Sequence, residues 1–272
     1  MSVHAGGGKT VTEIKIVFFD IDNTLFDQNK KVPDSTLEAI QKLQKKGVTT
    51  AIATGRAPFM FSQLRRQLNV HSYVSFNGSY VVDQDELIYR NPIPGEVLDQ
   101  LEQQASEKDK RLIFLNEEAM KIDGTLDSYI RDSIASLKLD IPFPEQDAQF
   151  YKHHEIYQGM LFYSEKDETG YLEQAPLNEL RYVRWHPYAV DVIPEHGSKA
   201  LGIRKLLGEM GISANDACAF GDGNNDVEML HYVGTGVAMG NAVDSAREAA
   251  DHVTRSVDHD GIYYGLKDLG LI

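Results

Sequence analysis

The chain has 272 residues, enough for one large or two smaller domains, with an apolar fraction of 42% and a charged fraction of 25% that are ordinary for a globular protein. Its formal net charge of −14 argues against nucleic acid and against an anionic membrane surface, both of which need clustered Lys and Arg. No apolar run approaches the roughly 18 residues that span a bilayer, Met1 to Thr10 lacks the apolar stretch of a signal peptide, and the single Cys218 excludes an intramolecular disulfide, so a cytoplasmic location is expected.

In chain order, Ile14 to Phe19 is a continuous apolar run with β-branched and aromatic residues, the pattern of a strand buried on both faces. Pro33, Asp34 and Ser35 open a helix through Leu37, Ile40 and Leu43 that Gly47 stops. Val48 to Ala53 reads as a strand, Pro58 starts a helix through Phe61, Leu64 and Leu68, and Tyr73 to Phe76 is a third strand. The middle differs. A hairpin is expected around Asp83-Gln84-Asp85, then a helix (Glu96 to Lys108), strands at Leu112 to Leu115 and Ala119 to Ile122, and a helix from Leu126 to Leu137. A strand (Gly159 to Tyr163), a helix near Thr169 to Leu177 and a strand pair flanking Pro187 complete it. The alternation then resumes. Ser198 caps a helix carrying Leu201, Ile203, Leu206 and Leu207 and ended by Gly211, followed by strand Ala217 to Phe220, a short helix at Val227 to Leu230, strand Gly236 to Met239 and helix Ala242 to Ala250. This order predicts an α/β fold: a three-layer, Rossmann-like parallel-sheet core over residues 1–82 and 192–272, with an α+β module inserted at 83–191.

In such a sheet, chemistry gathers beyond the carboxyl ends of the strands. There the sequence places Asp20-Ile21-Asp22-Asn23-Thr24, then Thr54-Gly55-Arg56, Asn77-Gly78, Gly221-Asp222-Gly223-Asn224-Asn225-Asp226 and Gly240-Asn241. Together they would form one acidic crevice, with Lys199 at a helix start as counter-cation. Carboxylates from two strand ends suit a hard cation such as magnesium, and the lack of Cys or His there matches zinc poorly. A carboxylate beside such a cation can be a nucleophile toward phosphorus. Asp22 could act as general acid and then base, a role that needs a raised pKa or a proton held by its surroundings. Taken singly, Asp226 could instead cap the following helix, and Asn77 and Asn241 read as turn-formers.

Asp20-Ile21-Asp22-Asn23-Thr24, Thr54, Lys199 and Gly221-Asp222-Gly223-Asn224-Asn225-Asp226 resemble the four ordered motifs of the haloacid dehalogenase superfamily. Ala53-Thr54-Gly55-Arg56, Phe76-Asn77-Gly78, Val237-Ala238-Met239-Gly240-Asn241-Ala242 and Asp258-His259-Asp260-Gly261-Ile262 resemble, more narrowly, its Cof-type (subfamily IIB) sugar-phosphate phosphatases. The resemblance implies Mg2+-dependent hydrolysis of a small phosphorylated metabolite, a sugar phosphate or a phosphorylated cofactor, through an aspartyl phosphate. Asp20 would be nucleophile and metal ligand, and Asp22 acid/base and a ligand through its main-chain carbonyl. Asp222 would be a further ligand, and Asp226 would ligate the metal or orient a metal-bound water. Thr54, Gly55 and Asn225 would hold the phosphate, and Lys199 would neutralise Asp20 and the transferring group. An insert between Thr54 and Lys199 resembles a type C2 cap. A phosphomutase and a non-catalytic phosphosugar sensor are the alternatives.

Three apparent motifs fail on context. Gly8-Lys9-Thr10 lacks the first glycine and preceding strand of a P-loop, Gly234-Thr235-Gly236 with Gly240 has the wrong spacing for a dinucleotide fingerprint, and His153-His154-Glu155 lacks a second zinc-protease histidine. In the insert, Arg184, Trp185, His186 and Tyr188 could contact a sugar or ring, or equally pack the sheet.

Overall fold

The computed structural model describes residues 13–139, 141–168 and 179–272. Its larger sheet has eight strands in the order β14-β13-β12-β1-β2-β3-β4-β5. Here β1 is Ile16–Phe19, β2 Thr49–Ala53, β3 Ser72–Ser75, β4 Tyr80–Asp83, β5 Glu86–Arg90, β12 Ala217–Gly221, β13 Thr235–Ala238 and β14 His252–Val253. Pairing is parallel from β14 to β3 and antiparallel for β3–β4 and β4–β5, so the sheet is mixed rather than purely parallel. The hairpin at Asp83-Gln84-Asp85 forms, with Gln84 and Asp85 both at positive φ, and its second strand becomes the edge of this sheet, carrying it through Arg90.

β1 lies at the centre, and its residues divide between the two faces with period two. Val17 and Phe19 pack with Ala39, Ile40 and Leu43 of helix Asp34–Lys45 and with Ile262 and Leu266 of helix Gly261–Asp268. Ile16 and Phe18 pack with Ile203, Leu206 and Leu207 of helix Lys199–Met210 and with Met229 and Leu230 of helix Val227–Tyr232. That accounts for the unbroken apolar run: helices cover both faces, so no residue of β1 meets water. Cys218 is buried in the same sheet, and burial pushes its thiol up, consistent with a core residue.

A second, six-stranded sheet has the order β10-β11-β9-β6-β7-β8, with β6 Leu112–Leu115, β7 Met120–Ile122, β8 Glu145–Gln146, β9 Gln158–Leu161, β10 Leu180–His186 and β11 Ala189–Pro194. It is antiparallel except for β7–β8. One face packs Leu112, Phe114, Leu161, Val190 and Val192 against helix Gly95–Glu107 through Val97, Leu98, Leu101 and Ala105. The other face turns towards the carboxyl ends of the large sheet. Tyr157 pins the two units together, stacked on Phe76 at 5.4 Å and edge-on to Tyr80 at 5.1 Å. The helix expected near Thr169 to Leu177 and the Gly8-Lys9-Thr10 stretch lie outside the described residues. No helix among the described residues is long and apolar enough to cross a membrane.

A glycine contact sets the position of Lys199. Gly78 has φ +97°, and a Cβ there would lie 1.9 Å from the Ser198 carbonyl oxygen. A Cβ on Gly202 would lie 2.8 Å from Gly78 Cα. Only glycine at both positions lets helix Lys199–Met210 seat its first turn on the Phe76–Gly78 turn. Ser198 caps that helix, its hydroxyl accepting from Leu201 N at 3.2 Å.

Candidate functional site

Asp20 follows β1 directly, with its amide donating to Phe220 O of the neighbouring strand at 3.0 Å. Chain continuity therefore aims it at the crevice where β1 and β12 end. Asp222 and Asp226 sit in the turn after β12. Asp226 Oδ2 accepts from the amides of Asp222 and Gly223, both at 2.9 Å, folding the turn back on itself. A Cβ on Gly221 would strike Asp226 Cγ at 2.5 Å, so the turn needs glycine there. Carboxylate oxygens of Asp20, Asp222 and Asp226 lie within 4.8 Å of one another, and all three residues are buried.

Lys199 enters this cluster from the glycine-seated helix. Its Nζ lies 2.5 Å from Asp20 Oδ1 and 2.6 Å from Asp226 Oδ1, with Lys199 and Asp226 both 0% exposed. Burial opposes the charge on Lys199, but the two carboxylates outweigh it and hold the ammonium protonated, above the usual lysine range. Burial pushes the Asp20 carboxyl well up, Lys199 pulls against it, and Asp226, Asp222 and Asp22 push it further. Asp222 is raised to about 6 by burial and by Asp226, against the Thr24 hydroxyl that donates to its Oδ1 at 3.1 Å.

With all three carboxyl groups ionised, the one ammonium leaves two negative charges in a buried place, which one divalent cation would offset. The donors are all oxygen, the set a hard cation takes. The cluster is thus positioned to coordinate a divalent metal, and Mg2+ fits it.

Asp22 is arranged differently. Its side chain is 40% exposed and lies outside the three-carboxylate group. Arg56 donates to it twice, Nε to Oδ2 at 2.8 Å and Nη2 to Oδ1 at 2.5 Å, and Lys30 Nζ donates to Oδ1 at 2.5 Å. Burial would raise its pKa, but Arg56 and Lys30 outweigh this and hold it below the usual carboxylate range. The raised pKa wanted for a proton donor is absent in this arrangement, and the cause is the fork of Arg56.

Thr54 directly follows β2, buried, with its hydroxyl accepting from Arg56 N at 3.2 Å and its carbonyl accepting from Asn77 N at 3.0 Å. Asn77 sits in the left-handed region (φ 49°) and accepts from Asn225 Nδ2 at 3.0 Å. Asn77 is thus both a turn-former and a wall of the site. Asn241 ties loops together, donating to Asn23 O at 2.9 Å and accepting from Val257 N at 2.8 Å.

Asp20, Asp22, Thr54, Gly55, Lys199, Asp222 and Asn225 all line one cavity of about 710 Å³, with Asp226 fully buried behind Lys199. Its roof is the inward face of the small sheet, including Gln158, Met160, Arg181, Trp185 and Asp191. Burial raises Asp191 to about 7, with Trp185 and Gln158 offsetting part of it. The four insert residues singled out by sequence separate here. Trp185 lines the cavity. Arg184 is engaged with Glu168 and with the carbonyls of Tyr163, His186 and Pro187, and His186 Nδ1 meets Ser133 Oγ at 3.0 Å. Tyr188 is exposed beside Tyr129, and His153 is exposed elsewhere. Sequence reasoning missed Lys30, Gln158 and Asp191, and gave Arg56 no task although it stood inside the Thr54-Gly55-Arg56 motif.

Residues 17–266 match the family described as haloacid dehalogenase-like hydrolase. The Bacillus subtilis (strain 168) protein YkrA is 43% identical over 258 residues, covering 95% of this chain and 98% of its own. A Geobacillus kaustophilus HTA426 protein of known crystal structure superposes with a TM-score of 0.91 at 47% identity, over 95% of this chain and all of the other. A structure described as a subclass IIB sugar phosphatase of the same superfamily superposes with a TM-score of 0.81 at 31% identity, again over 95% of this chain and 100% of its own.

Proposed function

Since the chain belongs to the haloacid dehalogenase-like hydrolases, and is a phosphoric monoester hydrolase whose Mg2+-dependent chemistry runs through an aspartyl phosphate, we propose a division of labour among its residues and a substrate class. Asp20 is the nucleophile. Lys199 neutralises Asp20 and, with the metal, offsets the repulsion an anionic phosphate meets in the crevice. Asp20, Asp222, Asp226 and the main-chain carbonyl of Asp22 would hold Mg2+. When bound, the ion would act as a Lewis acid, drawing electron density from the phosphoryl group. Thr54, Gly55 and Asn225 hold the phosphate. The observation that carries this reading is the fully buried Lys199 bridging Asp20 and Asp226 on the floor of the cavity.

In the first half-reaction an Asp20 oxygen attacks phosphorus, the ester P–O bond breaks, and Asp22 gives a proton to the leaving oxygen. In the second, Asp22 takes a proton from water as it attacks phosphorus, Asp20 is freed and phosphate leaves. Asp22 rests as the carboxylate paired with Arg56 and Lys30, the form that serves the second step. A phosphate dianion entering the cavity competes for Arg56; loss of that fork raises the proton affinity of Asp22, which takes up a proton from solvent before the first step and gives it to the leaving oxygen.

The substrate is a small phosphorylated metabolite, a sugar phosphate foremost, and the enzyme is of the Cof type (subfamily IIB) with a type C2 cap. The whole-chain likeness to a sugar phosphatase of subclass IIB supports that assignment, as does an α+β insert roofing the cavity. The domain division follows: a catalytic core of residues 1–82 plus 192–272 with a cap at 83–191, allowing for β5 in the large sheet and for β11, which stays in the small sheet to Pro194. Phosphate release from sugar phosphates, nucleotides, pyridoxal phosphate and flavin mononucleotide, with Mg2+ and with EDTA, tests the reading. Release from sugar phosphates that EDTA abolishes is expected. Turnover indifferent to EDTA, or isomerisation of a hexose phosphate without free phosphate, would overturn it.

A further inference from the structure

The small sheet has a second hollow at its far end. Leu115 and Gln158, paired at one end of β6 and β9, both line the active-site cavity. Leu112 and Leu161 are paired at the other end, roughly 10 Å along at about 3.4 Å per residue. The chain just before Leu112 and just after Leu161 meets the Tyr188 turn between β10 and β11 and the start of helix Ser128–Ser136. Together they enclose a cavity of about 410 Å³ that shares none of its described lining residues with the active-site cavity. Its floor includes the buried Ile130 and Phe162. At its rim stand Tyr129 and Tyr188, 57% and 40% exposed, with ring centroids 5.0 Å apart. Two large rings left half in water beside an apolar floor offer a surface for a third ring.

Charges of both signs line the same space and are loosely paired. Lys110 Nζ lies 3.6 Å from Asp167 Oδ2. Arg111 donates to Lys110 O at 3.3 Å and to Asp109 Oδ1 at 3.4 Å, both longer than an ordinary N–H···O bond. A Cβ on Gly124 would lie 2.8 Å from Arg111 Nε, so glycine there makes room for the arginine. Asp123, one residue before that glycine, does not use up its own bonding capacity. Its Oδ2 accepts from Leu112 N at 3.0 Å, and its Oδ1 is buried with no hydrogen-bond partner among the described residues. Asp127 caps helix Ser128–Ser136 by accepting from Ile130 N at 2.8 Å, which takes one of the roughly four acceptor positions of a carboxylate.

We propose that this distal cavity is a second ligand site, and that it takes a small zwitterion with an aromatic group, an aromatic α-amino acid. The ring lies on Tyr129 and Tyr188 over the apolar floor. The carboxylate meets Arg111 and Lys110, and the ammonium meets Asp127 and Asp167. Asp109, Asp127 and Asp167 face Lys110 and Arg111 around the cavity. A purely anionic ligand would meet the three carboxylates, and a purely cationic one the two cations; a zwitterion pairs with both. A cavity of about 410 Å³ is in the range of small-molecule sites.

Equilibrium dialysis of the full chain against four compounds tests it. L-Phenylalanine carries all three features, 3-phenylpropionate lacks the ammonium, phenethylamine lacks the carboxylate and L-alanine lacks the ring. Phenylalanine should bind saturably. Each of the other three should bind roughly 10- to 100-fold more weakly, the range for losing one charged hydrogen-bonding group or the burial of one ring. Arg111→Gln and Tyr129→Ser should each weaken phenylalanine binding by about tenfold or more. Tyr129 is an exposed ring, so its variant keeps the test open if Arg111→Gln melts early. No saturable binding of phenylalanine would overturn the proposal. So would either single-charge analogue binding as tightly as phenylalanine, or a variant that melts and binds phenylalanine as wild type does. Binding is read without turnover, so the outcome is separate from the phosphatase reading.

Discussion

Replacing Lys199 with methionine isolates what the buried ion cluster does for the fold. The ammonium is 0% exposed and makes two contacts, at 2.5 Å to Asp20 and 2.6 Å to Asp226, and the carboxylates keep it charged. Methionine matches its length and removes the charge. Asp20, Asp222 and Asp226 are then left together with no cation in a desolvated place. Breaking a buried pair by removing one partner costs about 3–5 kcal/mol, far more than the net worth of an intact pair, because the orphaned charge stays buried. For a chain of this size that is a fall in Tm of roughly 6–20 °C. Thermal unfolding followed by circular dichroism at pH 8 in EDTA should show it. Adding Mg2+ should restore Lys199→Met more than it raises wild type, since the ion replaces the missing counter-charge as well as adding its binding free energy. A variant that melts within about 2 °C of wild type in EDTA would refute the reasoning, because the three carboxylates would then be stable together without the lysine.

Asp20→Asn should fold normally and lose turnover, read as phosphate release alongside a melting curve. Asp22→Asn should slow turnover by about 10²–10⁴-fold, the range for general acid–base groups, while the Mg2+-induced shift in melting stays as in wild type; loss of that shift would contradict a main-chain metal contact. Gly55→Ala would put a Cβ 2.9 Å from Asn77 Nδ2, displacing Asn77 from Asn225, and should raise KM about tenfold with melting little changed. Asp191 is raised from 3.8 to about 7 by burial, so the fold favours its protonated form. That contribution is fully present below pH 3.8 and is lost as pH rises through about 7. Asp191→Asn should therefore match wild type at pH 4 and exceed it in stability by about 2 kcal/mol at pH 8.5, allowing for the solvent at its partly exposed edge. Denaturant unfolding at the two pH values checks it, and a pH-independent difference would count against a desolvated carboxylate.

Sequence made the core and the floor of the site legible for the same reason. Ile16–Phe19 is buried on both faces, so its apolar run is unbroken, and the residue that ends the run, Asp20, must lie at the crevice. Helix starts were readable where capping chemistry marks them, as at Ser198, and that placed Lys199. The roof was not legible. Gln158 and Asp191 belong to different strands, and only the register of β9 against β11 brings them to one face. Nothing local distinguishes them from solvated polar residues. The hairpin at Asp83-Gln84-Asp85 was readable from its turn, but which sheet β5 would join depends on pairing with β4, which local pattern does not carry. Strand β14 and the two-residue β8 are too short to leave a periodic signal. The pairing of Asp22 with Arg56 joins two strand ends through a long side chain whose direction no spacing rule fixes.

Covalent trapping on Asp20 addresses the nucleophile most directly. The enzyme is acid-quenched during turnover of a hydroxylated phosphate ester with Mg2+, treated with borohydride, which reduces an acyl phosphate to the alcohol, and mapped by peptide mass spectrometry. Homoserine at position 20, absent when EDTA is present and absent in Asp20→Asn, is the predicted result. Homoserine at position 222 or 226 instead, or none at any aspartate while phosphate is being released, would contradict it.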